Sequence, residues 1–191
     1  MRHPCHMQAL RRASAPLSSR WLSGPPPRRM GAVTVASGSV QLLSAAEVAD
    51  LQPSSARQLT VRVPTSDATA VRLLDIFVAC SADGVLSAFE NFCPHAGGAL
   101  NFLPDKFFAR DGRHLICTRH GAKFRPEDGH CVKGPCAGDA LHPLSVERDK
   151  VGGIVADWDA LRQLCDEGGG AFVLRPADSA EAQGPEVERC S

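Results

Sequence analysis

The stretch NFCPHAGGAL (residues 91–100) places a cysteine and a histidine on either side of one proline, and two glycines follow. Alone, Cys93 and His95 are weak evidence for a metal site, because two ligands do not complete the coordination of a zinc ion. On that evidence Cys93 is equally a small buried hydrophobe and His95 a turn residue. A second pair, at a distance that the chain can close, changes this interpretation.

The second pair lies in LICTRHGAKF (115–124), where Cys117 and His120 enclose two residues. The pairs read C-x-H and C-x-x-H, with 21 residues between them. A hairpin fits between them, since KFFAR and RHLIC flank an Asp-Gly turn at 111–112. Its ends return side by side, so the sequence predicts that two thiols and two imidazoles converge on a common centre.

Two kinds of centre use such a ligand set. Zinc binds two cysteines and two histidines tetrahedrally at one ion, whereas a Rieske [2Fe–2S] cluster binds two cysteines on one iron and two histidines on the other. Zinc sites normally take both cysteines from one turn and both histidines from another. Here each loop supplies one of each, which favours the dinuclear centre. Gly97, Gly98 and Gly121 allow close approach of backbone N–H groups to bridging sulfides, and Pro94 stiffens the first loop.

The segments CPHAGGAL, CTRHGAKF and GHCVKGPC resemble the Rieske iron–sulfur family, specifically its soluble ferredoxin-like members, over roughly residues 40–157. The resemblance implies an all-β fold, an antiparallel sandwich or barrel with a small cluster-binding subdomain. It implies one [2Fe–2S] cluster between two loops, with the histidines near the surface, and a third loop (134–136) whose Pro135 shields the cluster. The segment between the two pairs is longer than in many ferredoxin-like members, which fits an enlarged hairpin.

Respiratory members of that family carry an extra cysteine in each loop, joined as a disulfide, and Ser and Tyr hydroxyls that donate to cluster sulfur. The corresponding positions here are Gly98, Arg119, Ala122 and Phe124, and the chain contains no tyrosine. Fewer donors leave the reduced cluster less stabilised, so we expect a low potential. The other histidines show no spacing typical of a mononuclear iron site, so we predict an electron carrier with no catalytic residues of its own.

The N-terminal leader has no acidic residue before Glu47 and is rich in serine and arginine. This predicts an organellar transit peptide or disordered leader over 1–38, directed to the mitochondrial matrix or alternatively to a plastid stroma. Without the six leader arginines, 15 basic residues stand against 21 acidic ones, which is unlike a nucleic-acid-binding protein. We find no apolar run of the roughly 20 residues that span a bilayer, so the mature protein is expected to be soluble.

Residues 39–175 are predicted to form the β domain with its C-terminal extension. Strands are predicted at 39–43, 57–63, 72–80 and 85–90, a short capped helix at 44–51, a strand pair within 141–157 and a strand at AFVLR. DWDALRQLCDEGGG (157–170) is the one helix of note, ended by its glycines. Residues 176–191, rich in Pro, Ala, Glu and Ser, are predicted to be a disordered tail.

The remaining cysteines and charges leave alternatives open. Cys131 and Cys136 either form a disulfide or stay free, and a reducing organelle favours free thiols. Cys80 and Cys165 are interpreted as buried hydrophobes. Residues 105–135 carry seven basic and four acidic side chains, which form either an ordinary solvated rim or a docking face for an acidic partner.

Three functions are consistent with these patterns. The first is a one-electron carrier between a reductase and a terminal oxygenase or reductase. The second is a zinc-stabilised binding module that uses the same four ligands. The third is an accessory subunit of a larger redox enzyme in which the cluster has a structural role. A visible spectrum of the purified protein separates the second from the other two.

Overall fold

The computed structural model describes residues 38–64, 70–167, 174–176 and 187–189. Within these ranges the helices are α1 (Ala45–Asp50) and α2 (Trp158–Glu167). The strands are β1 (Ser39–Leu43), β2 (Ser55–Pro64), β3 (Ala70–Cys80), β4 (Leu86–Glu90), β5 (Leu115–Ile116), β6 (Lys123–Phe124), β7 (Cys131–Lys133), β8 (Pro143–Leu144), β9 (Val146–Arg148), β10 (Ile154–Asp157), β11 (Leu174–Pro176) and β12 (Val187–Arg189). The predicted antiparallel β fold with a short C-terminal helix is confirmed.

The largest sheet has the strand order β12-β2-β3-β4-β8, and β11 also pairs with β3. Its centre is a long antiparallel hairpin in which Ser55 to Pro64 face Cys80 to Val71. Leu59, Val61 and Val63 alternate with more exposed residues along β2, as the sequence predicted, and all three are buried. The alternation places one apolar face of this sheet on the protein core.

The second sheet, β1-β10-β9, covers that face together with α2. Ile154 and Ala156 of β10 and Leu161 of α2 join Leu59 and Val61 in one apolar core. The helix presents Leu161, Leu164 and Cys165 to the core, a spacing of three and four residues that fits a single helix face. Burial raises the pKa of the Cys165 thiol to about 11, so its predicted role as a buried apolar residue holds.

Helix α1 begins after the capping box that the sequence predicted. The Ser44 N–H donates to Glu47 Oε2 at 2.9 Å, and the Glu47 N–H donates to Ser44 Oγ at 3.4 Å. Partial burial acts to raise the pKa of Glu47, but the bonds from Ser44 outweigh it and hold that pKa below the ordinary value. The capping box therefore stabilises the fold at neutral pH and loses this contribution as the pH falls through the lowered pKa.

A third, small sheet, β5-β6-β7, belongs to a second apolar core on the other side of the large sheet. Phe77 of β3 and Phe89 of β4 contribute to this core from the large sheet. Phe107 stacks on Phe77 with ring centroids 4.0 Å apart, and Phe124 and Leu115 complete the packing. The predicted small subdomain is therefore attached to the domain by an aromatic core and not by a flexible linker.

The predicted hairpin between the two Cys/His pairs forms only in part. Leu115 bridges to Phe108, and the Ala109 N–H donates to the His114 carbonyl, but regular strand is confined to Leu115–Ile116. The Asp111 carboxylate replaces ladder bonds at the turn, accepting from the Lys123 ammonium and from the Arg113 and His114 N–H groups. The Lys123 bond and these N–H groups hold the pKa of Asp111 well below its ordinary value.

Within the predicted disordered tail, residues 176–191, the structure describes residues of two short strands. Pro176 ends β11, and β12 (Val187–Arg189) pairs with β2 opposite Val61 to Leu59. The composition gave no signal for β12, since its pairing depends on the free backbone edge of β2 and not on a pattern of its own. The predicted leader, up to residue 37, lies outside the described residues. No helix in the part of the chain that the structure describes is long and apolar enough to cross a membrane.

Candidate metal centre

The first loop follows directly after β4 and is closed by buried side-chain and backbone hydrogen bonds. The Asn91 side chain accepts from the Leu100 N–H at 2.9 Å and donates to Asn101 at 3.0 Å. Inside this closure, the Cys93 N–H donates to the Gly98 carbonyl and the Gly97 N–H donates to the Cys93 carbonyl. Both glycines have positive φ, 72° and 85°, a conformation that few other residues adopt without strain.

The second loop has the same construction between β5 and β6. The Cys117 N–H donates to the Ala122 carbonyl, and the Gly121 N–H donates to the Cys117 carbonyl, each at 2.9 Å. Gly121 has a φ of 72°. Each loop is thus a tight turn that starts at its cysteine and reverses at a glycine four residues later, although the histidine stands at a different place in each.

The two loops are joined to each other at two points. The Leu100 carbonyl accepts from both the N–H and the hydroxyl of Thr118, at 2.7 and 2.8 Å. The Arg119 guanidinium lies over Gly98, and a side chain at that position would come within 3.4 Å of it. The glycine at 98 is therefore required by a close approach from the other loop as well as by its own φ.

This arrangement brings the four predicted ligands together as two pairs. Cys93 and Cys117 are buried, 2% and 0% exposed, and the Cys117 thiol lies near enough to raise the pKa of Cys93. His95 and His120 are exposed, and their rings meet edge to face with centroids 4.8 Å apart. The sulfur ligands thus lie together on the inner side of the loops and the imidazoles lie together at the surface.

The surroundings of Cys93 act on its thiol in two opposite directions, and their net effect raises its pKa. Burial raises the pKa of the free thiol, and the nearby Cys117 thiol raises it further. The backbone N–H groups of His95 and Ala96 act in the opposite direction, because they point at the sulfur and stabilise its thiolate. Such N–H donors are the outer contacts expected around a cluster-bound cysteine.

The predicted third loop (134–136) lies in the segment 131–139, which packs against the second loop. Gly134 has a φ of 114°, and a side chain there would come within 2.7 Å of the Ala122 backbone. Cys131 and Cys136 are both buried and both free. Burial and the neighbouring Cys131 raise the pKa of Cys136 to about 12. Pro135 is exposed, and its shielding role stays a prediction.

The donor set fits a dinuclear cluster better than one ion. Two thiols on the buried side and two imidazoles on the exposed side match a centre that takes sulfur ligands on one metal and nitrogen ligands on the other. Among the described residues, no group of three or more His, Cys, Asp or Glu side chains is arranged as a metal site, so the fit rests on the chemistry of the donors alone. Of the loop glycines, Gly121 has open space where a side chain would begin, while Gly97 and Gly98 are covered by Phe92 and Arg119.

The positions of the absent hydroxyl donors are both in the core beside these loops. Ala122 and Phe124 are fully buried and pack with Cys93 and Cys117. Neither side chain carries a hydrogen-bond donor, so the protein cannot donate a hydroxyl from these places to a bound cluster.

A supporting residue that the sequence did not reveal is His142. Its Nδ1 lies 2.6 Å from Oε2 of Glu90, a carboxylate only 2% exposed, and its ring stacks on Phe92 beside Cys93. Phe92 in turn lies against Gly97 of the first loop. Its partner Glu90 lies 52 residues away, so the pairing has no local signal in the sequence.

We expect His142→Ala to destabilise the fold by about 2–4 kcal/mol, because it removes a hydrogen-bonded partner of a buried carboxylate. Equilibrium urea unfolding at pH 7 measures this loss. His114→Ala is the matched control, since His114 bonds to the half-exposed Asp111 and its loss should cost under about 1 kcal/mol. Equal decreases in the free energy of unfolding of the two variants would show that the His142–Glu90 contact stabilises the fold no more than a surface contact does.

Comparison with known proteins gives a family and a set of similar structures. The family model described as Rieske [2Fe-2S] domain matches residues 43–154, more than half of the chain. The comparison with curated proteins gives no match.

Similar solved structures are components of oxygenases. A naphthalene 1,2-dioxygenase bound to phenanthrene matches with 20% identity and a TM-score of 0.43, over 62% of this chain and 25% of that chain. A quaternary ammonium Rieske monooxygenase has 23% identity and a TM-score of 0.45, over 64% and 32%. The terminal oxygenase of carbazole 1,9a-dioxygenase from Novosphingobium sp. KA1 matches with 19% identity and a TM-score of 0.45. The match covers 62% of this chain and 29% of that chain. The match therefore spans about a quarter to a third of the length of those proteins.

Proposed function

The chain belongs to the Rieske [2Fe-2S] domain family, and on this basis we propose that it is a one-electron carrier that binds a single cluster through Cys93, His95, Cys117 and His120. Membership of the family implies a [2Fe–2S] cluster and a role in electron transfer. The number of clusters, the ligand set and the role as a separate carrier are our proposals. The observation that supports them is the pairing of two buried thiols and two exposed imidazoles between two hydrogen-bonded loops.

When bound, the cluster supplies a centre that accepts and releases one electron. The residues of this chain hold it, exclude water from its sulfur side and leave one edge accessible. Phe107, Phe124 and Leu115 surround the buried thiols with apolar groups, while His95 and His120 stay exposed. A partner can therefore approach within electron-transfer distance at the histidine edge without any opening of the fold.

An anaerobic titration of the purified protein with a chemical reductant tests the carrier function. We expect one electron taken up per chain, followed by full reoxidation by a protein acceptor with no organic substrate consumed. Substrate oxidation by this chain alone would instead make it an oxygenase component. Colourless protein with one zinc per chain would support the binding-module function.

The proposal includes a docking face for the redox partner, formed by the 105–135 segment. Asp105 and Asp111 are neutralised by Arg57 and Lys123 at 3.0 and 2.6 Å, and Asp128 pairs with Arg125. The acidic side chains of the 105–135 segment are thus mostly engaged. Its exposed cations with no ion-pair partner among the described residues are Lys106, Arg110, Arg113, Arg119 and Lys133. We infer that this face attracts an acidic redox partner, a reductase or an oxygenase.

Reversing two of these charges, Lys106→Glu and Arg113→Glu together, should slow association with the physiological partner about tenfold or more at low salt. The difference should shrink as the ionic strength rises, because exposed charges are screened. Stopped-flow electron transfer with the partner measures both effects. Lys150→Glu, an exposed cation on the β9–β10 turn, is the control with unchanged rate. An equal slowing by Lys150→Glu would show that net charge sets the association rate, and it would contradict a docking face in the 105–135 segment.

We further propose import into mitochondria, with a plastid as the alternative. The support is the acid-free, arginine-rich and serine-rich leader. N-terminal sequencing of the native protein is expected to find a mature terminus between Arg20 and Ser44. A native chain that still begins at Met1 would contradict this proposal.

A further inference from the structure

The third loop holds two thiols that face each other. Cys131 lies at the start of β7 and Cys136 five residues later, and their Sγ atoms are 3.3 Å apart. The backbone fixes both positions. The Cys131 N–H donates to the Asp139 carbonyl, the Gly138 N–H donates to the Cys131 carbonyl, and the Asp139 N–H donates to the Cys136 carbonyl. The sulfurs are therefore held as a pair by the loop itself.

We propose that Cys131 and Cys136 are a redox-modification site that a small disulfide such as oxidised glutathione converts into an intramolecular disulfide. One thiol attacks the small disulfide, forming a mixed disulfide and releasing one reduced glutathione. The second thiol then displaces the second glutathione and closes the protein bond. The two protein thiols lose two electrons and two protons, which leave as two molecules of reduced glutathione.

The distance between the two sulfurs suits closure of the bond, while their burial makes the first exchange slow. A disulfide has an S–S distance of about 2.05 Å, so closure requires the sulfurs to approach by about 1.2 Å, within the reach of small side-chain rotations. Cys80, by contrast, directs its thiol to the Ser81 carbonyl, and Cys165 lies in α2 within the other apolar core. The other adjacent pair, Cys93 and Cys117, is the ligand pair of the proposed cluster. The new pair packs in the same apolar core as those two cysteines, but it lies in a loop to which we assign no ligand.

The consequence for the cluster rests on the proposed function. Gly134, between the two cysteines, lies so close to Ala122 that a side chain there would come within 2.7 Å of the Ala122 backbone. The Ala122 carbonyl in turn accepts from the N–H of Cys117. A disulfide across the third loop therefore restrains the loop that covers the second cluster loop. We expect it to slow loss of the cluster.

The direct test uses the cluster-containing protein equilibrated for hours in buffers of varied ratio of oxidised to reduced glutathione, since buried protonated thiols exchange slowly. Samples are quenched in acid, alkylated under denaturing conditions and digested with trypsin. Trypsin cuts after Lys133, between the two cysteines, so the disulfide links peptides 124–133 and 134–148. The linked pair, two hydrogens lighter than the sum of its parts, should increase with the oxidised fraction and disappear in reductant.

Two results of this test overturn the proposal. One is full alkylation of both cysteines at every glutathione ratio. The other is separate glutathione adducts on the two peptides with no linked form. Cys136→Ser must abolish the linked pair, while Cys165→Ser must leave it unchanged. Peptide mapping distinguishes the pair from any Cys93–Cys117 bond in cluster-free protein, because those cysteines lie in other peptides.

A second measurement compares loss of visible absorbance in a chelator for the oxidised and reduced forms. The oxidised form should lose its cluster at least about threefold more slowly, and equal rates would overturn the effect on the cluster. The disulfide site and the cluster-binding function on which its effect rests are refuted by different results. Linked peptides from protein without iron would leave the modification site intact and refute the proposed function. An iron-containing protein with no linked peptides would do the reverse.

Discussion

Cys117→Ser is expected to reduce the iron content of the purified protein from two atoms per chain to near zero and to remove its red-brown colour. Cys117 is fully buried beside Cys93, and soft iron–sulfur centres bind thiolate far better than a serine hydroxyl. Of the other buried cysteines, Cys80 and Cys165 belong to the other apolar core, and the thiols of Cys131 and Cys136 face each other in the third loop. Iron and acid-labile sulfide assays with a visible spectrum measure the result.

The matched control is Cys165→Ser, which replaces a buried thiol in α2 on the other side of the large sheet. It removes the same atom type at similar burial and should keep two irons and two sulfides per chain. Circular dichroism of Cys117→Ser separates loss of ligand from failure to fold. A Cys117→Ser protein that retains two irons would refute the ligand set, and wild-type protein with one zinc would refute the cluster.

The sequence predicts the pairing of the loops because the information is local. A cysteine, a histidine and a glycine within each short turn define the backbone reversal, and the hairpin signals between the turns bring them together. The structure places Cys93 near Cys117 and the His95 ring beside the His120 ring. That these residues bind a metal stays a prediction, which the iron assay decides.

The features that the sequence did not predict depend on contacts between distant segments. Arg119 over Gly98 and His142 on Glu90 have no periodic signal, since each partner is ordinary in its own segment. The same holds for β12, whose partner strand lies more than 120 residues earlier. The strands of the hairpin between the two Cys/His pairs are short for a local reason. The Asp111 carboxylate accepts from the Arg113 and His114 N–H groups, which a longer ladder would use.

The potential of the cluster is expected to lie near the low end of the Rieske range, about −150 mV. Hydrogen bonds to cluster sulfur stabilise the reduced form more than the oxidised form, because the reduced form carries one more negative charge. Ala122 and Phe124 are buried beside the two cysteines and donate no such bond. The backbone N–H groups near Cys93 still stabilise the reduced state. Because both hydroxyl donors are missing, this state is less stabilised than in members that have them.

Restoring a donor should therefore raise the potential. Phe124→Tyr, and independently Ala122→Ser, are each expected to shift it upward by about 40–60 mV, since a hydrogen bond of about 1 kcal/mol corresponds to roughly 40 mV in a one-electron couple. Voltammetry at pH 7 measures the shift, and the visible spectrum verifies that the cluster is present. Phe108→Tyr, on a half-buried residue at the edge of the same core, should leave the potential unchanged. A wild-type potential near +300 mV, or no shift in either donor variant, would show that backbone groups alone set the potential.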